Sequence, residues 1–161
     1  STTSTMGPSP PPCGRARISD PVSAPGAQPF AALAAGALYF LIMFAFGFAL
    51  GTVRVVLLAP ALGELLALLT ELPVMLSLSW IAARRIVRGR PALSGTAPRL
   101  TMGIFALALL ICAEFVLAYS AFGLRPGAYL MGYTTLVGLL GLSGQLAFAL
   151  FPWIQYRTGH A

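Results

Sequence analysis

The sequence predicts an all-α integral membrane fold: four transmembrane helices arranged as two hairpins, with a disordered N-terminal tail. Three observations predict it. Of 161 residues, 58% are hydrophobic and 9% charged, with a mean hydropathy of +0.85, whereas an ordinary soluble domain is about a quarter charged. Four apolar stretches each reach the roughly 20 residues needed to cross about 30 Å of hydrocarbon. The basic residues, ten in number and all arginine, lie mostly between those stretches. A net charge of +6 in that arrangement orients helices against a bilayer. Lipid is therefore the expected partner and nucleic acid is not.

The tail, residues 1–29, holds seven of the thirteen prolines with Ser, Thr, Gly and Ala around them. Such a segment buries too little apolar surface to offset its ordering entropy and is expected to be disordered. Pro10, Pro11 and Pro12 read as a locally extended spacer. The apolar run that begins at Phe30 is longer than the core of a secretory signal. The first segment is therefore expected to stay in the mature protein.

The four-helix domain, residues 30–161, follows with helices expected at about 30–53, 62–83, 100–122 and 128–153. The connections are a turn around Pro60, an arginine-rich loop, and residues 123–127, which contain Arg125 and Pro126. Strands of a membrane barrel would be half as long and would alternate polar with apolar residues. Arg84, Arg85, Arg88, Arg90 and Arg99 follow the second segment, Arg15 and Arg17 lie in the tail, and Arg157 closes the chain. Four spans put all eight on one side and leave Arg54 and Arg125 on the other. The excess of arginine predicts a bacterial inner-membrane protein with both termini cytoplasmic. Trp80, Trp153 and Tyr156 fall where interfacial aromatics belong on that side.

Cys13 and Cys112 fall too far apart to pair, and Cys112 reads as a small core residue. Charges within the bilayer demand a partner or a cavity. Glu71 lies about 13 Å into the second segment from the outer side, and Glu114 about 12 Å into the third, at 1.5 Å per residue. Glu64 sits seven positions before Glu71 on the same helical face. Arg54 and Arg125 are the counter-charges on offer. Arg54 ends a stripe of Gly36, Met43, Gly47 and Gly51, in which Gly47 and Gly51 form a GxxxG pair. That stripe is expected to pack on the second helix and bring Arg54 near Glu64 or Glu71.

Pro73, two residues after Glu71, leaves the Leu69 carbonyl without its helical donor and marks a kink. In a membrane that oxygen needs another donor, which Thr70 or a protonated Glu71 would supply. The fourth segment carries its own stripe of Thr134, Gly138, Gly141 and Gln145. Small residues at that density predict tight helix contact, with Gln145 in an interhelical hydrogen bond.

Three readings of the charge cluster follow. It is a structural network, a proton or cation pathway in which two close carboxyls share one proton, or a docking site for another membrane subunit. Absences narrow the chemistry. The single histidine, His160, lies at the C-terminal end, so no haem, zinc or di-iron ligand set is available in the bundle. There is no Cys-x-x-Cys, no phosphate loop, and no base for Ser143. No cofactor or metal is expected. In size, helix count, embedded Glu and glycine-rich last helix the chain is similar to the small multidrug resistance transporters. In that family, however, the Glu lies in the first helix, where this chain has none.

The sequence thus points first to a non-enzymatic membrane protein, an accessory or assembly subunit or a self-associating bundle acting through helix contacts. The alternative is a small proton-coupled transporter or channel using Glu71 and Glu114. An enzyme using those carboxylates ranks third.

Overall fold

The computed structural model describes residues 27–123 and 126–159, so residues 1–26 of the tail, Arg125 and His160 lie outside the described residues, while residues 27–29, expected to be disordered, begin the first helix. Helix α1 (Ala27–Val53) runs into a π-helical turn (Arg54–Leu58) and then α2 (Ala59–Leu62). Helix α3 (Glu64–Val87) and a 3-10 turn (Pro91–Leu93) lead to α4 (Thr96–Phe122). A short α5 (Pro126–Gly132) precedes α6 (Leu136–Arg157). Four of these helical spans are long and apolar enough to cross a membrane. No strand occurs among the described residues.

Two boundaries differ from those the sequence predicts. The first span does not end near Val53 and turn at Pro60; it continues as one rod from Pro29 to Leu62. Pro60 has no N–H and its ring crowds the preceding turn. The chain meets this by widening the turn before it, so that the Ala59 N–H bonds the Arg54 carbonyl five residues back. The reversal comes instead at Gly63, at φ 81° and ψ 158°, a conformation that only glycine adopts freely. The fourth segment, expected as one helix, is two. Tyr133, Thr134 and Thr135 turn between α5 and α6 through hydrogen bonds of 3.1–3.2 Å to Leu130, Met131 and Gly132 carbonyls. Thr135 caps α6 by accepting from the Gly138 N–H at 3.0 Å, satisfying an otherwise orphaned donor.

Each long helix packs on two neighbours: α1 on α3 and α4, and α6 on the same two. The core is not spread evenly along this square. Its buried residues, among them Ala32, Ala35, Ala83, Leu93, Met102 and Ala149, lie toward the end that carries the arginine-rich connection. Backbones touch there. A Cβ on Gly36 would stand 2.7 Å from the Met102 carbonyl, and one on Gly103 would overlap the Ala149 carbonyl. Only glycine permits such approach between helices.

Two polar side chains in this half reach backbone carbonyls, although Arg99 Nη1 and Gln155 Oε1 stay unpartnered. Arg99, 5% exposed, donates through Nε to the Leu93 carbonyl at 2.8 Å and lies 5.0 Å from the Tyr156 ring centroid. Gln155 donates to the Trp80 carbonyl at 2.7 Å. These bonds tie the connection and α6 into one end of the molecule.

Tyr39 closes the core. It is fully buried, stacked on Phe148 at 4.4 Å, and its hydroxyl lies 2.5 Å from Ser79 Oγ and donates to the Phe148 carbonyl at 3.1 Å. That carbonyl is available because Pro152 sits four residues later inside α6 and has no N–H to give it. A tyrosine from α1 thus satisfies an oxygen that a proline releases in α6, as a water-free interior requires.

Candidate functional site

Beyond Tyr39 the helices part around a cavity of about 740 Å³. Ser79 and Phe148 form its floor, directly above the Tyr39 hydroxyl. Its walls are mainly apolar, with Met43, Leu72, Met75, Leu110 and Leu117 among the lining. Besides the Thr52 hydroxyl, three charged side chains and one amide from the four long spans also line it: Arg54, Glu71, Glu114 and Gln145.

They form two pairs. Arg54 Nε and Glu71 Oε2 meet at 2.7 Å as an ion pair between the π turn and α3. The widened turn begins at Arg54 itself, and such turns re-aim the side chains they carry. Arg54 also lies eight positions short of the end of its rod, rather than at the helix end where the sequence places it. On the other side Gln145 Nε2 donates to Glu114 Oε2 at 2.7 Å, joining α6 to α4. Gln145 Oε1 is shielded and has no donor. Each carboxyl therefore has a neighbour of its own, Arg54 for Glu71 and Gln145 for Glu114.

The remaining predicted residues fall elsewhere. Glu64 is exposed in the first turn of α3, where an acid favours the helix N-terminus, and Arg54 turns to Glu71 instead. Arg125 lies outside the described residues. α3 remains helical through Pro73. The Thr70 hydroxyl donates to the Ala67 carbonyl at 2.8 Å and Glu71 faces Arg54, so neither takes the role at Leu69 that the sequence suggests. Cys112 is exposed rather than a core residue, because its face of α4 looks outward.

The glycine stripes do something other than expected. Gly47 faces only the end of Met75, at 3.3 Å, and a Cβ on Gly51 or Gly141 would meet nothing within 4 Å. These residues widen the cavity; they do not bring backbones together. A Cβ on Gly144 would stand 2.9 Å from a Leu72 methyl, the flexible end of a side chain. Gly138 is needed at the α5–α6 turn, since a Cβ there would overlap the Gly132 carbonyl. Thr134 lies in that turn and outside the α6 stripe.

Sequence reasoning missed Tyr39, Ser79 and the pairing of Pro152 with Phe148. The one available signal was a tyrosine and a proline, each inside an apolar span, both of which need a hydrogen-bond account. Among the described residues no group of His, Cys, Asp and Glu has the makings of a metal site.

The fold and site define a class: an apolar four-helix bundle, closed at one end and hollow at the other, with a charged pair and a carboxyl–amide pair in the hollow. Compared with protein-family models, curated proteins and solved structures, the chain matches none.

Proposed function

We propose that this protein is a small membrane carrier whose cavity takes a ligand into the bundle, with Glu114 as the proton-exchanging group. One observation carries the reading: a cavity of small-molecule size gathers the embedded polar residues of four helices in apolar walls. A structural network alone needs its partners but not an open volume beside them. Arg54 holds Glu71 as an ion pair, whereas Glu114 has only a neutral amide. Carboxylates in such surroundings mark proton and ion pathways. The arginine distribution supports placement in a bacterial inner membrane with both termini cytoplasmic.

The test is purification from native membranes in mild detergent, followed by native mass spectrometry of the wild type and of Gly141→Leu. The variant adds a side chain where the structure has open space. A small molecule retained by the wild type and lost by the variant supports the carrier. A stoichiometric foreign membrane protein with no small molecule would overturn it in favour of an accessory subunit.

A further inference from the structure

The cavity carries an imbalance of charge and of hydrogen-bonding groups. Its lining contains two carboxyls, Glu71 and Glu114, and one guanidinium, Arg54. Arg54 Nε lies 2.7 Å from Glu71 Oε2, an ion pair by distance whose two atoms do not align as a hydrogen bond. Glu114 receives one hydrogen bond, from a neutral donor, Gln145 Nε2. The one guanidinium of the lining faces Glu71, so the Glu114 charge has no ion-pair partner among the described residues. A lone carboxyl in apolar surroundings is neutralised by a proton or by a bound cation.

The hydrogen bonds show the same deficit. Gln145 uses its amide nitrogen on Glu114, which leaves its shielded Oε1 without a donor. Buried polar atoms in a finished network have partners. What the Glu114–Gln145 end lacks is a donor for that one oxygen and one positive charge. The other lining supplies hydrocarbon and aromatic surface, from Leu110, Leu117 and Phe148.

We infer that the Glu114–Gln145 end of the cavity binds an amine as its ammonium ion, with the apolar body of the amine against the surrounding leucines. The inference rests on the carrier reading and adds the ligand class to it. The ammonium supplies the missing charge to Glu114 and carries N–H groups in excess, one of which reaches the Gln145 oxygen after a small turn of the amide. An anionic ligand would add a second unpaired negative charge. A quaternary ammonium would bring charge without N–H groups and leave the amide oxygen unmatched.

The test is calorimetric titration of the purified full-length chain in detergent with four probes that share one body. They are 4-phenylbutylamine, 4-phenylbutanol, 5-phenylpentanoate and trimethyl(4-phenylbutyl)ammonium. Gly141→Leu gives the blank for partition into micelles. The amine is expected to bind at least about tenfold more tightly than the alcohol, as a charge-assisted hydrogen bond requires. The quaternary ion should fall between the two. In Glu114→Gln the amine should drop to the level of the alcohol. Should that variant fail to fold, the order of the probes on the wild type still decides. Equal binding of amine and alcohol, or tightest binding of the carboxylate, would overturn the inference and leave the cavity as a ligand site. No binding of any probe above the Gly141→Leu blank would overturn the inference and the carrier reading together.

Discussion

At the arginine-rich end, Gly36 and Gly103 let one helix rest on the backbone of another. At the far end, Gly47, Gly51 and Gly141 face a cavity. The same residue closes one half of the bundle and hollows the other. The difference lies in what stands opposite. Gly36 and Gly103 meet the carbonyls of Met102 and Ala149, with small core residues such as Ala32, Ala35 and Ala106 packed around them. In the far half, bulky leucines and methionines and two polar pairs hold the helices apart. Glycine density in a membrane helix therefore marks a place where volume is missing. Whether a neighbouring helix or a ligand takes that volume depends on the facing residues.

The largest effect is expected from adding a methyl group in the closed half. Gly103→Ala drives its Cβ into the Ala149 carbonyl and should cost about 3 kcal/mol or more, the upper range for overpacking. Reversible unfolding in detergent measures this. A cost below about 0.5 kcal/mol would mean that the α4–α6 contact yields freely, and that the two halves do not differ.

Next in size is the ion pair. Arg54→Met leaves Glu71, whose side chain is 12% exposed, without its counter-charge. About 2 kcal/mol should be lost, less than for a fully dry pair because Arg54 keeps some solvent access. Arg54→Met combined with Glu71→Leu should recover most of it. Failure of the double variant to recover would show that the pair does more in the cavity than neutralise itself.

Tyr39→Phe follows, at about 1.5 kcal/mol, the usual cost of leaving a buried acceptor unmatched. The closed half should loosen without change in ligand occupancy, read as a lower melting temperature at unaltered probe affinity. The smallest effect belongs to the hollow. Gly51→Leu enters open space and should change stability by no more than about 0.5 kcal/mol. A loss as large as that of Gly103→Ala would show that the cavity closes in the folded protein.

The four spans were legible because apolar runs of membrane length admit few other readings. Glu71, Glu114 and Gln145 were legible as residues needing partners, since polarity inside such a run has to be accommodated. The pairing itself was less so. Spacing carried Arg54 toward α3, but the choice of Glu71 over Glu64 depends on the π turn, and its cause is Pro60 six residues downstream. Pro60 reads as a helix end only if the chain keeps a four-residue register. The break at Tyr133–Thr135 was hidden because the segment stays apolar through it. The roles of the glycines were hidden for a further reason: a GxxxG pair describes one helix surface and says nothing about what faces it. Gly103, the most crowded, has no glycine three or four positions away to draw attention to it.

The oxygen of Phe148 has two claimants across the life of a protein family. An N–H restored at position 152 would take it for the α6 helix, and the Tyr39 hydroxyl would fall back on Ser79, whose Oγ and carbonyl both lie within its reach. If the hydroxyl were lost first, Pro152 would leave the oxygen stranded. A lineage can leave this arrangement comfortably in one order only, position 152 before position 39. Wherever proline stands at 152, tyrosine should therefore stand at 39, a debt of one helix met from another.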